Sequence, residues 1–252
     1  MKKAIFGLIG KDIDYSFSRS YFNTKFEKEQ FPYSYVNFDI GDLTYFRSIL
    51  KENKNLKGLN VTIPYKEAII PYLDHLSPEA KSIRAVNTIK ILPDGKLIGY
   101  NTDYYGFQKS IKPILEKHHK AALILGTGGA SKAIAYAFKE WNMPTLFVSR
   151  VATEKSICYE DITEEILLTH QIIVNTTPLG TYPNVSSYPK IPYSHLTSKH
   201  LLYDLTYNPS STMFMQKGVL QQAKTTNGYA MLVEQAEKAW EIWAAKSSEI
   251  NN

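Results

Sequence analysis

A lysine, an aspartate and a group of short hydroxyl and amide side chains carry the chemistry that this 252-residue chain can do. Lys66 stands just beyond LNVTIP, where Asn60 and Thr62 alternate with Val61 and Ile63. Alternation of this kind marks a half-buried strand, and Pro64, which has no N–H to donate, ends it. An ammonium placed there can stabilise charge developing on an oxygen and supply a proton. A carboxylate beside it would steady it, and burial would lower its pKa toward a working range. Asp103, in YNTD, is the candidate partner. Asn60, Thr62, Asn87 and Thr102 lie at strand ends and could hold the hydroxyls of a small polar ring. Ser16 and Ser18, two apart in YSFS, could bind a carboxylate. Each has a plain alternative: Ser18 or Ser20 as a helix cap, Asn87 as a turn residue, Lys66 as a solvated charge at a helix start. Spacing alone does not bring them together.

The second chemical signal is LILGTGGASKA. Gly126 lets the chain turn sharply out of a strand, and Gly128 lets a pyrophosphate approach the backbone. The N–H groups around Gly129 and Ala130 open a helix whose positive end favours anions. Ser131 takes the third small position, so the fingerprint is imperfect, and a tight turn with no ligand is the alternative. At the end of the next strand, where an NAD site carries an acid, the chain has FVSR. The guanidinium of Arg150 can grip a 2′-phosphate in a fork and stack on adenine, which points to NADP.

The elements that would position these groups are legible as alternating strands and helices. KKAIFGLIG, YSYVNFDI and LKGLNVTI read as strands, separated by helical patterns in YFNTKFEKEQ and LTYFRSILKEN, the latter with Leu43, Phe46, Ile49 and Leu50 on one face. KEAIIPYLDHL and SPEAKSIRA read as short helices, and AVNTIKILPDGKLIGYNTD as a hairpin turning at Pro93-Asp94-Gly95. A second βαβ run follows: AALIL, the glycine turn and its helix, TLFVSR, a helix in DITEEILLTH, QIIVNTTPLG, HLLYDLTYNP and a helix in MFMQKGVLQQAK. MLVEQAEKAWEIWAAK closes it as a strong helix. The expected fold class is α/β. It has two βαβ domains with a cleft between them: residues 1–102, with a mostly parallel sheet and joined by a C-terminal helix over 229–252, and residues 103–228. The second crossing is expected near Asn227-Gly228.

Composition narrows the field. The chain is 44% hydrophobic, and its net charge of +5 comes from 29 basic and 24 acidic residues with no dense Lys/Arg run. Such a scattered excess reads first as solubility and second as a field that attracts anionic small molecules, and it lacks the dense basic run that tracks a nucleic-acid backbone. Cys158 is the only cysteine, so an intramolecular disulfide is excluded, which fits a reducing compartment. The apolar run near the N-terminus is broken by glycines and lacks a cleavage site, and no stretch is long enough to span a bilayer. A cytoplasmic protein with no membrane partner is expected.

Several motifs together resemble one family. GLIGKDIDYSFSRSYFN, LNVTIPYKEA, AVNTI, GYNTD, LGTGGASKA, VNTTPLG, DLTYNPSST and MLVEQA occur in the order seen in shikimate dehydrogenases, across nearly the whole chain. The resemblance implies an N-terminal substrate domain, a C-terminal Rossmann NADP domain, and a last helix packing back on the first. It implies reversible reduction of 3-dehydroshikimate to shikimate by NADPH without metal, in chorismate and aromatic amino acid biosynthesis, by a monomer or homodimer. Lys66 and Asp103 match the catalytic pair and Ser16 and Ser18 the carboxylate binders. Asn60, Thr62, Asn87, Tyr207 and Gln235 match other substrate contacts. Gly126, Gly128, Gly129 and Ala130 match the pyrophosphate turn and Arg150 the 2′-phosphate site, while Asn175 and Thr176 lie in the loop flanking the nicotinamide. The pattern departs in places: Tyr15, Arg19 and Tyr21 stand where His, Pro and His are usual. Val151 replaces a threonine, Glu154 a basic residue, with Lys155 adjacent, and Ala230 a glycine. A relative that also accepts quinate or prefers NAD, and a sensor that binds NADP or shikimate without catalysis, remain as alternatives.

Overall fold

The computed structural model describes residues 3–14 and 16–245. The chain divides into two compact units. One runs up to Thr102 and resumes at Ala236; the other is Asp103–Gln235. The second crossing thus falls inside the last helix rather than at Asn227-Gly228. The part of the expected final helix over 246–252 lies outside the described residues.

Helices α1 (Phe17–Lys28), α2 (Phe46–Glu52), α3 (Tyr65–Ala68) and α4 (Pro78–Ile83) belong to the first unit. Helices α5 (Asp103–Ile111), α6 (Gly129–Lys139), α7 (Glu164–Thr169) and α8 (Met213–Leu220) belong to the second. Helix α9 (Tyr229–Ala244) starts in the second and ends in the first.

The first unit is built on β1 (Ala4–Gly10), β2 (Tyr33–Asp39), β3 (Leu56–Val61), β4 (His75–Leu76), β5 (Thr88–Ile91) and β6 (Leu97–Tyr100), in the order β2-β1-β3-β5-β6-β4. β1 runs parallel to β2 and β3, and β4 to β6; β5 is antiparallel to both of its neighbours. The C-terminal half of α9 is part of this unit's core. Ala236, Ala239 and Trp243 pack with Phe6, Phe22, Phe26 and Tyr35. Its end is held by a buried lysine: Lys90 Nζ donates to the carbonyls of Ile242 (2.7 Å) and Ala245 (2.6 Å). The last carbonyls of a helix lack intrahelical donors as a rule, and a cation there also meets the negative end of the helix dipole. Trp243 Nε1 donates to Ile89 O at 3.0 Å.

The second unit is an all-parallel sheet of β7 (Ala122–Leu125), β8 (Thr145–Ser149), β9 (Ser156–Cys158), β10 (Ile172–Asn175), β11 (Leu201–Asp204) and β12 (Lys224–Thr226), ordered β12-β11-β10-β7-β8-β9. The order reverses between β7 and β10, the switch point at which doubly wound sheets bind nucleotides. One core packs Phe107, Ile134 and Phe138 on one face, and another packs Leu167, Phe214 and Met215 on the other. Central strands covered on both faces read as unbroken apolar runs, and ALIL is one.

Three strands have no counterpart in the sequence reading: β4, β9 and β12 are two or three residues long and sit at or near sheet edges, too short to show a period. The helices around residues 65–72 and 164–169 are shorter than their apolar patterns suggested. Helix α1 starts at Phe17, so its N-cap residue is Ser16, and Ser18 and Ser20 lie within the helix. Among the described residues no helix is long and apolar enough to cross a membrane.

Candidate active site

In the first unit the polar residues at the ends of β3, β5 and β6 form one bonded group. Register sets them side by side: Asn60 pairs with Thr88, and Thr88 with Tyr100. Asn60 Nδ2 donates to Asn87 O and Thr88 Oγ1, both at 3.2 Å, and its Oδ1 accepts from the Tyr35 hydroxyl at 2.7 Å. Asn87 Nδ2 donates to Thr102 Oγ1 at 2.9 Å, while its Oδ1 accepts from Thr102 N at 2.7 Å and Thr88 Oγ1 at 3.1 Å. All five of these side chains are buried, and mutual bonding offsets the cost of removing them from water. Tyr35 is also bonded to Ser18. Burial pushes its phenol well above the ordinary range, with the Ser18 bond acting against the rise. It therefore stays a neutral donor.

The remaining candidates of the first unit lie on neighbouring elements of it. Ser16 is half-buried, and its hydroxyl makes no capping bond to α1, so it is not consumed by the helix. Thr62, also half-buried, follows β3 with its N–H on Ile9 O at 3.0 Å. Lys66 is on α3, half-buried, and its carbonyl accepts from Val86 N at 2.7 Å, which ties α3 to the residues entering β5. The peptide Ile63–Pro64 between strand and helix is cis. Asp103, Tyr207 and Gln235 fall in the second unit. Asp103 is buried and opens α5, where a carboxylate meets the positive end of the helix. Tyr207 is half-buried beyond β11, and Gln235, buried on α9, donates through Nε2 to Leu232 O at 2.9 Å.

The glycine turn of the second unit is open where a ligand would need it. Gly126 has φ +112°, and a Cβ there would lie 2.6 Å from Thr176 Oγ1; neither the backbone nor the space admits a side chain. A Cβ on Gly128 would meet nothing within 4 Å. Gly128 is the N-cap residue of α6, followed by Gly129 and the half-buried Ala130, so the first N–H groups of the helix have no partner within it and are the kind that bind anions. A pyrophosphate fits this cradle. Ser131, in place of the third glycine, is buried and donates to Gly128 O at 2.6 Å, closing the turn by other means. Arg150 is exposed immediately beyond β8. Burial raises the Tyr159 phenol above its usual range, and the Arg150 guanidinium opposes that rise.

Asn175 and Thr176, expected at the cofactor, spend their polar atoms on the fold. Asn175 is fully buried. Its Nδ2 donates to Asp204 Oδ1 (3.0 Å) and Leu179 O (3.3 Å), and its Oδ1 accepts from Thr177 N and Oγ1. Thr176 Oγ1 donates to Leu125 O at 2.6 Å. Asp204 accepts further bonds from Thr206 N and Thr212 Oγ1. Burial raises its pKa, and those donors with Asn175 hold the rise in check. These residues shape the loop beyond β10 rather than reaching out of it. Sequence reasoning missed Tyr35, Thr88 and Asp204. Asp204 left a signal, an acid ending the apolar strand LLYD; Tyr35 looks like any inward-facing strand tyrosine.

Comparison with known proteins bears on both units. The profile of the shikimate dehydrogenase substrate binding domain matches residues 8–89. The NADP(+) shikimate dehydrogenase of Methanococcus maripaludis is 35% identical, over 99% of this chain and 94% of its own. The chain belongs to the shikimate dehydrogenase family. Shikimate 5-dehydrogenase from Thermus thermophilus, solved in complex with NADP(H) and shikimate, superposes with a TM-score of 0.85 at 29% identity, covering 96% of this chain and 93% of its own. Quinate dehydrogenase from Corynebacterium glutamicum, solved with NAD, gives 0.84 at 25% identity over 96% and 94%. The fold is thus that of shikimate dehydrogenases, an N-terminal substrate domain followed by a Rossmann domain.

Of the departures from the family pattern, Tyr15 lies outside the described residues, and the surroundings of several others are visible. Tyr21, where histidine is usual, hydrogen-bonds Glu237, which also accepts from Lys25 at 3.0 Å, so α1 is pinned to α9. Arg19 donates to Asp14 O at 2.8 Å. Val151 is 73% exposed and offers no hydroxyl, and the Ser149 hydroxyl turns onto its carbonyl. Ala230 is exposed in the first turn of α9.

Proposed function

We propose that this chain catalyses the reversible, NADP-dependent reduction of 3-dehydroshikimate to shikimate, a step of chorismate and aromatic amino acid biosynthesis. One observation carries the reading. The open Gly126–Gly128 turn is followed by Arg150 rather than an acid, in a chain 35% identical along 99% of its length to an NADP(+) shikimate dehydrogenase.

Bound NADPH supplies a hydride to the ring carbonyl carbon. The Lys66 ammonium stabilises the charge left on the carbonyl oxygen and gives it a proton. Asp103 orients Lys66 and accepts a hydrogen bond from the neighbouring substrate hydroxyl. Asn60, Thr62 and Asn87 hold ring hydroxyls, and Ser16 and Ser18 bind the carboxylate, with Tyr207 and Gln235 completing the contacts. The unit that runs up to Thr102 and resumes at Ala236 forms the substrate domain, and Asp103–Gln235 the NADP domain. N–H groups at Gly126, Gly128, Gly129 and Ala130 hold the pyrophosphate, and Arg150 the 2′-phosphate. Asn175 and Thr176 serve this site by fixing the loop beyond β10. The protein works in the cytoplasm as a monomer or homodimer, with no nucleic acid or membrane partner and no metal.

A second reading, relaxed use of quinate or NAD, is supported by the missing hydroxyl at Val151 and by the fold shared with an NAD-bound quinate dehydrogenase. Absorbance at 340 nm tests both. A rise on mixing protein, shikimate and NADP⁺ is expected, and slower rises with quinate or NAD⁺. Equal rates with quinate or NAD⁺ favour the second reading. Tight binding with no absorbance change would overturn catalysis and leave a sensor.

A further inference from the structure

The second unit carries a pocket of about 400 Å³ that none of the substrate or cofactor residues lines. This volume lies in the range of small-molecule sites. It is a shallow, open depression lined by aromatic, apolar and charged residues. Tyr159, Tyr188 and Tyr193 line it, with Ile162 and Ile191 anchoring it in the hydrophobic core beneath. The Tyr193 hydroxyl donates to Pro189 O at 2.8 Å, which fixes that ring. Two ammoniums converge on one phenol: Lys190 Nζ lies 3.9 Å from the Tyr188 ring centroid and Lys217 Nζ 4.4 Å, the latter also 5.6 Å from Tyr193. Among the described residues neither lysine is within ion-pair distance of a carboxylate. A lysine held over a ring gives up rotamer freedom, and two like charges beside one ring repel each other. Hydrogen bonding from Lys190, with the field of both lysines, holds the Tyr188 phenol below its usual range. Glu160 lines the same pocket and supplies the opposite charge.

An anion would relieve the lysines, an apolar ring would cover the aromatic surface, and a cation would suit Glu160. These three demands describe one ligand class. We propose that this pocket binds a small aromatic α-amino acid, its ring among Tyr159, Tyr188 and Tyr193, its carboxylate on Lys190 and Lys217, and its ammonium facing Glu160. The site is independent of the catalytic reading above.

Calorimetric titration of the full chain with L-phenylalanine tests it. Saturable binding of one ligand per chain is expected, unchanged by saturating NADP⁺. The variant K190Q/K217Q should weaken it at least about tenfold, about 1.4 kcal/mol, with circular dichroism and the rate of shikimate oxidation unaltered. Glu160→Gln should weaken L-phenylalanine while leaving 3-phenylpropanoate, which lacks the ammonium, unchanged. No saturable heat up to roughly 10 mM, weaker than any useful affinity, would overturn the proposal. So would unaltered binding in either variant, loss of binding with NADP⁺, or equal displacement by inorganic phosphate, which would mark a bare anion patch.

Discussion

At the strand ends of the first unit the available polar groups are side chains; at those of the second they are backbone. In the first, Tyr35, Asn60, Asn87, Thr88 and Thr102 are buried and bonded to one another, a neutral lattice whose members hold each other in place. In the second, the side chains at the same end of the sheet, Asn175, Thr176 and Asp204, are turned inward to brace the loop. The outward-facing donors are the N–H groups around Gly128, where a side chain is simply missing. The two arrangements fail in opposite ways. A side-chain lattice is damaged by removing atoms, and a backbone cradle by adding them.

The strongest test of the first half of this contrast is Lys66→Ala. Removing the proposed proton donor should lower kcat at least about a hundredfold, the usual reach of an acid–base group. NADP⁺ affinity should hold, because the turn that binds it owes nothing to this side chain. Steady-state rates beside a dinucleotide titration decide the matter, and near-normal turnover in a folded variant would remove Lys66 from the mechanism.

Tyr35→Phe probes the lattice without touching its outward members. Loss of one oxygen leaves Asn60 Oδ1 without the Tyr35 donor and Ser18 without its Tyr35 partner. An unsatisfied buried polar atom costs about 1–3 kcal/mol. Chemical denaturation should show that loss, and KM for shikimate should rise more than kcat falls, since Tyr35 positions Ser18 and Asn60 rather than meeting the reacting atoms. An unchanged midpoint would mean that the lattice does not act as a unit.

How much of this was legible in the sequence follows the same division. Gly126 could be read because its backbone angle and the crowding by Thr176 permit no other residue, so local chemistry dictated the letter. Lys66 and Asp103 could be named as types, but nothing in the sequence pairs two residues so far apart in the chain. Tyr35 was invisible: its partner Asn60 lies on β3, and the pairing depends on the register of β1 with both β2 and β3. Asn175 was legible as a position and not as a role, because only the fold reveals that Asp204 takes its amide. The shortest strands escaped altogether, being defined by their neighbours rather than by a pattern of their own.

Gly128→Val sharpens the second half of the comparison. A Cβ there meets nothing within 4 Å, so the protein should fold with an unchanged melting temperature. Two further methyl groups would stand where the pyrophosphate must approach, and NADP⁺ binding should weaken about tenfold or more, about 1.4 kcal/mol. Shikimate binding to the variant should be unaltered. Were both ligands to weaken together, the turn would not act on the dinucleotide alone.

The smallest effect concerns pH, and it too divides the units. His119 and His200, both in the second unit, are buried, and burial lowers the pKa of each below the ordinary 6.5. Their bonds to backbone carbonyls oppose that fall without cancelling it, while each Nδ1 is held as an acceptor. In His200, Nδ1 accepts from Thr197 N at 2.9 Å and Nε2 faces Leu167 O at 3.0 Å; in His119, Nδ1 accepts from Glu116 N at 2.9 Å and Nε2 faces Lys199 O. A proton on Nδ1 would displace its donor in either case. Below pH 6.5 the unfolded chain takes up protons that the folded one refuses, so this contribution to stability is present above that pH and lost as pH falls through it. The first unit's histidine, His75, is exposed. Trp141 belongs to the second unit and Trp240 and Trp243 to the first, so a Trp141→Phe variant reports the first unit by fluorescence while far-UV dichroism reports both. Between pH 7.5 and 5.5 the dichroism midpoint should fall, and replacing both buried histidines with glutamine should flatten that slope. A fall of the same size in the doubly substituted protein would place the acid sensitivity in groups other than these two rings.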